Sequence, residues 1–408
     1  MSPSVAVSPL IGHLLLAWAV IIIVAQGLGP VFGCFKQPAV LGEVVGGILL
    51  GPSFLGVFFP QLMEFLFPAT IVPWIGWIAQ VGIVFYMFLV GLEFNWTGLR
   101  RNGRSTVAIS LVSIFCPFLL GLAFAIWADS ALAGPAINRT YYALFVGVAM
   151  SVTAFPVLAR ILTEAGLRQT PMGNLALACA AINDVVAWCL LALVISLARA
   201  KTAEGMQTLM LVAVYLAAMF WVVRPLLKNP RVKGAIVLLV LLAVSASITS
   251  LIGIQAIFGA FLLGAIVPKE GVLDEKTVHC AESWVRVLLL PAFFAYTGLR
   301  TQINLLDSPQ DWWLCLMVIA LATAGKLGGT AVAARFSGLP WRAALTLGVL
   351  LNTRGLVELI VVNAGYELNL ISAKLFTVLV VMALATTLMT YPLLQGLKRK
   401  ESVTAGCD

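Results

Sequence analysis

Residues Pro171–Ala198 read PMGNLALACAAINDVVAWCLLALVISLA and hold a single acidic or basic residue, Asp184, about halfway along the stretch. The stretch is longer than the roughly 20 apolar residues that an α-helix needs to cross the hydrocarbon core of a bilayer. A charged side chain at the centre of such a helix costs roughly 2.5–3.5 kcal/mol on insertion scales, so those that occur there are candidates for function. The stretch therefore predicts a membrane-spanning helix with a functional carboxylate.

The composition of the whole chain also indicates a membrane protein. Of its 408 residues, 61% are hydrophobic and 10% are charged, whereas roughly 25% are charged in soluble domains. So few polar side chains cannot cover a water-facing surface, which excludes an ordinary soluble protein. The net charge of +8 does not gather beside nucleic-acid-reading motifs, so the expected partner is the lipid bilayer and not a nucleic acid. The seven cysteines are scattered and predict neither a disulfide nor a zinc framework.

Hydropathy predicts an all-α polytopic membrane protein with about thirteen transmembrane helices. The predicted spans lie near residues 9–32, 38–56, 70–94, 106–128, 140–163, 171–198, 207–227, 234–251, 254–268, 282–299, 311–334, 341–365 and 374–397. The first span lacks the basic segment and cleavage site of a signal peptide, so we expect it to be retained. With the amino terminus outside, 17 of the 25 basic residues fall on the inner side and five on the outer side. This asymmetry predicts a cell-membrane protein with its amino terminus outside and its carboxyl terminus in the cytoplasm.

Two sequence motifs recur seven spans later in the chain. Glu43–Gly51 (EVVGGILLG) resembles Gln255–Gly264 (QAIFGAFLLG), and Phe85–Leu92 (FYMFLVGL) resembles Phe293–Leu299 (FFAYTGL). A shift by an odd number of spans reverses the direction across the membrane, so we expect the two halves to be inverted repeats, as in many secondary transporters. Chance likeness between glycine-rich apolar helices is the alternative, and two pairs in one register favour the repeat.

Asp184 is the strongest candidate for an ion-binding group. Small residues lie within a turn of it on either side, which lets another helix or an ion approach closely. Burial favours the protonated carboxyl, whereas a bound cation favours the ionised form, so one group holds a proton or a cation but not both well. That competition is the minimum requirement for exchange. The alternative is a permanent pair with a buried lysine or arginine that joins two helices.

Lys326 is a second charge deep inside a predicted span. It lies about nine residues before Arg335 at the predicted inner end, roughly 13 Å along a helix, which is further than a lysine side chain reaches. It must therefore meet a carboxylate, helix carbonyls or water inside the bundle. The sequence leaves open whether Lys326 is a structural counter-ion or takes part in proton coupling.

Two predicted spans are interrupted at matching places in the two halves. Ser151–Pro156 (SVTAFP) has a proline in mid-span, and Leu351–Glu358 (LNTRGLVE) combines polar residues, glycine and two charges. Broken helices at membrane depth expose carbonyls and helix ends that coordinate cations, although a simple proline kink is the alternative for the first span. Arg354 and Glu358 are four residues apart and can pair on one helix face, and we expect them to neutralise the helix ends at the break.

At these residues the chain resembles the membrane domain of the monovalent cation:proton antiporter superfamily, in the branch that includes potassium efflux antiporters, bacterial sodium/proton antiporters and plant cation/proton exchangers. The resemblance covers roughly residues 10–397. Six specific motifs occur in order at transmembrane positions: Leu41–Ser53 (LGEVVGGILLGPS), Phe88–Glu93 (FLVGLE), Ser151–Arg160 (SVTAFPVLAR), Ile182–Asp184 (IND), Gly325–Lys326 (GK) and Leu351–Ile360 (LNTRGLVELI).

The resemblance implies a core domain, in which the two interrupted helices unwind and cross, and a dimerisation domain. It also implies homodimers that work by elevator-like alternating access. It makes Asp184 the carboxylate shared by proton and cation, Thr153 an oxygen ligand of the cation, and Lys326 the family's core-helix lysine. Asn183 stands where some sodium antiporters carry a second aspartate that pairs with this lysine. That ion pair cannot form here, and a single carboxylate favours electroneutral exchange.

These observations predict a secondary antiporter that exchanges protons for Na⁺ or K⁺ at Asp184, with no cofactor besides the transported ions. Enzymatic activity is not expected, because no nucleophile–base pair or metal cluster is apparent. The alternatives are an uncoupled cation channel and an ion-coupled symporter of a small organic anion, for which Lys326 and Arg354 could supply cationic anchoring. Potassium efflux relatives continue into a nucleotide-binding domain, whereas we expect residues 1–400 to form a single transport domain and 401–408 a short cytoplasmic tail.

Overall fold

The computed structural model describes residues 3–35, 37–93, 103–128, 132–133, 138–199, 202–228, 234–252, 256–268 and 275–404. Within these ranges the chain is almost entirely helical, and its β pairing is limited to one antiparallel bridge, between Ala133 and Ile371. The all-α prediction is confirmed. Residues 405–408 of the predicted tail lie outside the described residues, whereas 401–404 continue the last helix.

We number the helices of the described ranges in chain order. They are α1 Pro3–Cys34, α2 Ala39–Leu50, α3 Leu55–Phe58, α4 Pro60–Leu66, α5 Val72–Glu93, α6 Gly103–Trp127, α7 Arg139–Ser151, α8 Phe155–Glu164, α9 Pro171–Arg199, α10 Thr202–Ala218, α11 Arg224–Leu227, α12 Ala235–Ile252, α13 Ala256–Ile266, α14 Glu275–Trp284, α15 Leu290–Arg300, α16 Pro309–Thr323, α17 Gly329–Phe336, α18 Trp341–Leu351, α19 Leu356–Glu367 and α20 Ala373–Thr404. Three π-helical segments, Met219–Val223, Val285–Leu289 and Ala324–Gly328, join α10 to α11, α14 to α15 and α16 to α17.

Ten stretches of the described residues are long and apolar enough to cross a membrane, and they correspond to ten of the thirteen predicted spans. The other three predicted spans contain shorter helices. The span near 254–268 holds α13, of 11 residues. The spans near 140–163 and 341–365 are each divided into two helices of 10 to 13 residues. The predicted count of thirteen is therefore not confirmed.

The two predicted interruptions are present. α7 ends at Ser151 and α8 begins at Phe155, with Pro156 in the first turn of α8. Proline is well tolerated there, because the first turn of a helix makes no hydrogen bond through that N–H. α18 ends at Leu351 and α19 begins at Leu356. Pro156 is thus the second residue of a helix that follows a true break, so the alternative of a simple kink is wrong for this span.

The second interruption packs tightly against the first. A Cβ atom on Gly355, which precedes α19, would lie 2.7 Å from Cγ2 of Val157 in α8. A Cβ atom on Gly348 in α18 would lie 2.6 Å from the carbonyl oxygen of Leu327. Both distances are below 3.0 Å, closer than Cβ atoms lie to other heavy atoms in proteins, so a side chain at either position would force its neighbour to move.

The chain divides into two compact units, each discontinuous in sequence. The first comprises Met1–Gly27, Glu43–Asn95 and Ile195–Arg300, and the second comprises Leu28–Gly42, Trp96–Val194 and Thr301–Asp408. The second unit contains both interruptions and all six predicted site residues.

Within the first unit, the recurring sequence motifs contact each other crosswise. A Cβ atom on Gly51 would meet the carbonyl of Gly298, and a Cβ atom on Gly264 would lie 3.0 Å from Cα of Gly91. Gly51 and Gly264 occupy the same position in the two copies of one motif, as do Gly91 and Gly298 in the other. Two close contacts related in this way are expected from a pseudo-two-fold axis between inverted repeats, so they support the predicted repeat.

Within the second unit, α6 packs against two elements that carry the site. A Cβ atom on Gly121 of α6 would lie 3.0 Å from Cα of Gly147 in α7. A Cβ atom on Gly325 in the π-helical segment Ala324–Gly328 would lie 2.8 Å from Cα of Pro117 in α6. These contacts seat α7 and the segment that holds Lys326 on one helix.

Candidate functional site

The two interrupted segments, Val152–Ala154 and Asn352–Gly355, are buried and are joined by a backbone hydrogen bond. The backbone N–H of Ala154 donates to the carbonyl of Thr353 at 3.1 Å. The hydroxyl oxygen of Thr153 lies 3.3 Å from the carbonyl oxygen of Leu351, the last residue of α18. Four helix ends therefore meet at one buried place, and helix ends carry unpaired backbone groups and partial charges.

Asp184 lies on α9 beside the start of α8. Its side chain is only 4% exposed, and its carboxylate accepts a hydrogen bond from the backbone N–H of Phe155. Phe155 is the first residue of α8, where the partial positive charge of a helix amino terminus favours an anion. The second carboxylate oxygen, Oδ1, has no hydrogen-bond partner among the described residues. Asp184 thus has one oxygen that is held and one that can bind a proton or a cation.

Asn183 is enclosed by four hydrogen-bonding atoms. In the amide orientation that satisfies both ends, its oxygen accepts from the hydroxyls of Ser113 at 2.7 Å and Thr153 at 3.2 Å. Its nitrogen donates to the carbonyls of Ser110 at 3.1 Å and Cys179 at 3.2 Å. The amide is therefore fully used in joining α6, α9 and the first interruption. The predicted binding residues Asn183 and Thr153 are in direct contact, and Asn183 positions Thr153.

Lys326 is fully buried on the π-helical segment. Its ammonium group donates to the backbone carbonyl of Ser151, the last residue of α7. No ion pair between described residues involves Lys326, so it acts on Asp184 through space and not by contact. The sequence allowed a carboxylate, a helix carbonyl or water as the partner of this lysine, and the structure has a helix carbonyl.

Arg354 also binds the carboxyl end of α7. Its guanidinium donates to the carbonyls of Ala149 at 3.2 Å and Met150 at 2.5 Å, which precede Ser151 in α7. It also donates to Glu358 at 3.0 Å, and both side chains are fully buried. The last three carbonyls of α7 are thus bound by two cations, which is the arrangement that a helix carboxyl terminus favours.

Glu358 lies in the first turn of α19, where a carboxylate is favoured by the helix dipole. One of its oxygens pairs with Arg354, and the other, Oε2, has no hydrogen-bond partner among the described residues. Arg354 and Glu358 therefore form the predicted pair at i and i+4, and each lies at the helix end that its charge favours.

Thr387 holds the site and was missed by sequence reasoning. Thr387 of α20 accepts a hydrogen bond from the backbone N–H of Arg354 at 2.9 Å and donates to the carbonyl of the same residue at 2.7 Å. No charge or proline marks Thr387, which lies in an apolar helix. The available signal was a series of threonines in that helix, Thr377, Thr386, Thr387 and Thr390, all of them buried.

Comparison with known proteins identifies the family of this chain. The family described as "Sodium/hydrogen exchanger, transmembrane" matches residues 19–396. The Na(+)/H(+) antiporter NhaS4 of Synechocystis sp. is 43% identical over 395 residues, which cover 93% of this chain and 96% of that protein. Cation/H(+) antiporter 20 of Arabidopsis thaliana is 40% identical over 401 residues, 93% of this chain but 48% of that protein. The chain thus spans almost all of the first relative and about half of the second.

A solved structure shows the same fold. The sodium proton antiporter MjNhaP1 of Methanocaldococcus jannaschii superimposes with a TM-score of 0.62, covering 95% of this chain and 99% of that chain at 14% sequence identity. Family match, relatives and fold agree with the multi-pass membrane architecture of the described residues. The chain belongs to the transmembrane sodium/hydrogen exchanger family of the monovalent cation:proton antiporter superfamily, whose members are transporters and not enzymes.

Proposed function

We propose that the protein exchanges protons for Na⁺ or K⁺ across the membrane, and that the two ions compete for Asp184. The observation that carries this proposal is the state of the Asp184 carboxylate. It is buried, one oxygen is held by the start of α8, and the other has no hydrogen-bond partner in the described part of the chain. No described cation pairs with it, which argues against Asp184 as a permanent link between helices.

The neighbouring oxygen atoms suit a monovalent cation. Thr153 and the carbonyl of Leu351 lie on the two interruptions within 3.3 Å of each other, and carboxylate, hydroxyl and carbonyl oxygens are the ligands that alkali cations take. Leu351 ends α18, so its carbonyl also carries the partial negative charge of a helix carboxyl terminus. The proposed cation ligands are therefore Asp184 and Thr153, with Asn183 holding Thr153 in place.

The charges around Asp184 support electroneutral exchange. Arg354 and Glu358 neutralise each other, and Lys326 is bound to the end of α7. A proton or a monovalent cation at Asp184 then gives the loaded site the same net charge, which makes one-for-one exchange independent of membrane potential. The same contacts weigh against the organic-anion symporter, because both candidate anchoring cations are already engaged.

The proposal also includes a transport mechanism, an oligomeric state and an orientation in the membrane. The two compact units support elevator-type alternating access, in which one unit carries the ion site. The resemblance of the sequence motifs implies a homodimer, and the distribution of basic residues supports an outer amino terminus and a cytoplasmic carboxyl terminus. Residues 1–400 form the transport domain in this proposal, and no cofactor is required.

The proposal is tested by measuring dissipation of a pH gradient in proteoliposomes with each alkali cation. We expect Na⁺ or K⁺ to dissipate the gradient at the same rate with and without a clamped membrane potential, and Asp184→Asn to abolish the response. Retained exchange by Asp184→Asn would contradict the site. Cation flux that proceeds without proton movement would indicate the channel instead.

A further inference from the structure

The hydroxyl of Thr387 reaches from α20 to the second interruption. Its oxygen accepts from the N–H of Arg354 at 2.9 Å and lies 2.7 Å from the carbonyl oxygen of Arg354 and 2.9 Å from that of Ala383. Its single hydrogen is shared between the two carbonyls. One threonine side chain from a neighbouring helix therefore satisfies both backbone polar groups of a residue inside the break.

These two backbone groups need a partner, because the break removes the helical hydrogen bonds that they would otherwise make. Arg354 is fully buried, so water does not replace those bonds. The side chain of the same residue holds the end of α7, and the carbonyl of the preceding residue, Thr353, accepts from the N–H of Ala154 in the first interruption. Thr387 is thus connected through one peptide to both interruptions.

The neighbouring threonines of α20 do not have this connection. Thr386 donates to the carbonyls of Met382 and Ala383, and Thr390 donates to the carbonyl of Thr386, so both bond to their own helix. Thr386 is as buried as Thr387. Thr386 is therefore a matched control with the same side chain, the same helix and the same burial, but without the bond to the break.

We propose that Thr387 is a positioning residue that holds Asn352–Gly355 in the conformation in which Asp184 and Thr153 bind the cation. The proposal rests on the proposed exchange at Asp184, since cation binding there is its readout. Without the hydroxyl, the peptide of Arg354 loses its partners on α20, and the segment shifts toward other hydrogen bonds. The hydrogen bond from Ala154 and the contact between Thr153 and Leu351 then shift with it.

The test measures the half-saturating cation concentration of exchange in proteoliposomes for Thr387→Val, Thr387→Ser and Thr386→Val. We expect Thr387→Val to raise it roughly tenfold, the loss expected from one or two buried hydrogen bonds. Thr387→Ser keeps the hydroxyl and should stay near wild type, as should Thr386→Val. A purely structural loss would lower the amount of folded protein and leave the half-saturating concentration of the folded fraction unchanged, and that result would overturn the proposal.

A binding measurement separates this proposal from the proposed function. The cation-dependent rise in melting temperature of the detergent-solubilised protein requires binding but no transport. A smaller rise for Thr387→Val than for Thr386→Val supports the positioning role, whereas equal rises overturn it. If the wild-type protein showed no exchange, or if Asp184→Asn exchanged ions as fast as wild type, the proposed function would be overturned instead. Thr387→Ala removes the hydroxyl without adding a methyl group, and if neither hydroxyl-free variant folds while Thr386→Val does, Thr387 serves folding and the proposal is wrong.

Discussion

The two interrupted helix pairs have the same layout but opposite electrostatic arrangements. At the first, the carboxyl end of α7 is bound by Lys326 and Arg354, and the amino end of α8 faces Asp184. At the second, the described residues bring hydroxyls instead of cations to the carboxyl end of α18, from Thr153 and Thr353. The amino end of α19 carries Glu358, which is already paired with Arg354.

This difference is the basis of our proposal that Asp184, and not Glu358, is the carboxylate that exchanges ions. Glu358 is neutralised by a cation in contact, so a second cation gains little there. Asp184 has no such partner among the described residues, and its carboxylate faces the amino end of α8. The pair of charges at one break makes the helix ends stable, and the unpaired charge at the other leaves a place for a transported ion.

The largest effect is expected on stability, from removing Arg354, whose charge contacts both breaks. Arg354→Gln leaves Glu358 buried and unpaired and uncaps Ala149 and Met150, so we expect a loss of about 3–5 kcal/mol of stability. Thermal melting of the purified protein measures it. The double variant Arg354→Gln with Glu358→Gln removes the stranded charge and should recover part of the loss. Equal melting temperatures for the single and double variants would contradict the pairing.

The next largest effect separates the two carboxylates. Asp184→Asn should lower the exchange rate at least 100-fold, about 2.7 kcal/mol, and remove the cation-dependent rise in melting temperature. Glu358→Gln keeps Asp184, so the folded protein should retain both responses, with a rate loss of less than about tenfold. The variant also leaves Arg354 buried and unpaired, so its melting temperature without added cation should fall. Proteoliposome exchange and melting in the presence of Na⁺ or K⁺ measure the two properties. Loss of the cation response in Glu358→Gln would place the exchange site at the second break and contradict the proposal.

The sequence was informative where residues are costly in lipid. Asp184 and Lys326 stand out because a charge inside a span needs a reason, and Pro156 marks a helix start because it lacks an N–H. The partner of Lys326 was not predictable, since a lysine in an apolar helix does not indicate whether a carboxylate or a carbonyl such as that of Ser151 lies beside it. The hydrogen bonds of neighbouring helices decide that choice.

Neutral residues explain most of what the sequence could not show. A threonine or serine in an apolar helix can usually bond to a carbonyl of its own helix. The sequence therefore does not distinguish positioning residues such as Thr387 and Ser113 from ordinary ones. The count of thirteen spans stays unconfirmed for a related reason. The interruptions divide α7 from α8 and α18 from α19, and each of these four helices is too short to count as a membrane span by length.

A smaller effect concerns pH. If one proton competes with one cation at Asp184, acid should weaken apparent cation affinity. The half-saturating cation concentration should rise about tenfold per pH unit below the pH at which Asp184 takes up its proton, and level off above it. Exchange rates measured over a series of pH values and cation concentrations test this, with Glu358→Gln expected to show the same slope. A rise of a hundredfold per unit would mean that two protons compete, and the paired carboxylate would then take part.

The smallest effect is expected at Lys326, and it decides whether this lysine is structural or part of coupling. Its ammonium binds the carbonyl of Ser151, and an amide in the same place can still donate to that carbonyl. Arg354 also remains at the end of α7, so Lys326→Gln should cost only about 1 kcal/mol of stability. Because no described carboxylate pairs with the lysine, we expect exchange by Lys326→Gln to remain independent of membrane potential. Measuring the exchange rate of this variant with and without a clamped potential checks this directly. A rate that becomes voltage-dependent would show that the charge of Lys326 contributes to the net charge moved in each transport cycle. The first break would then contain two coupling groups instead of one.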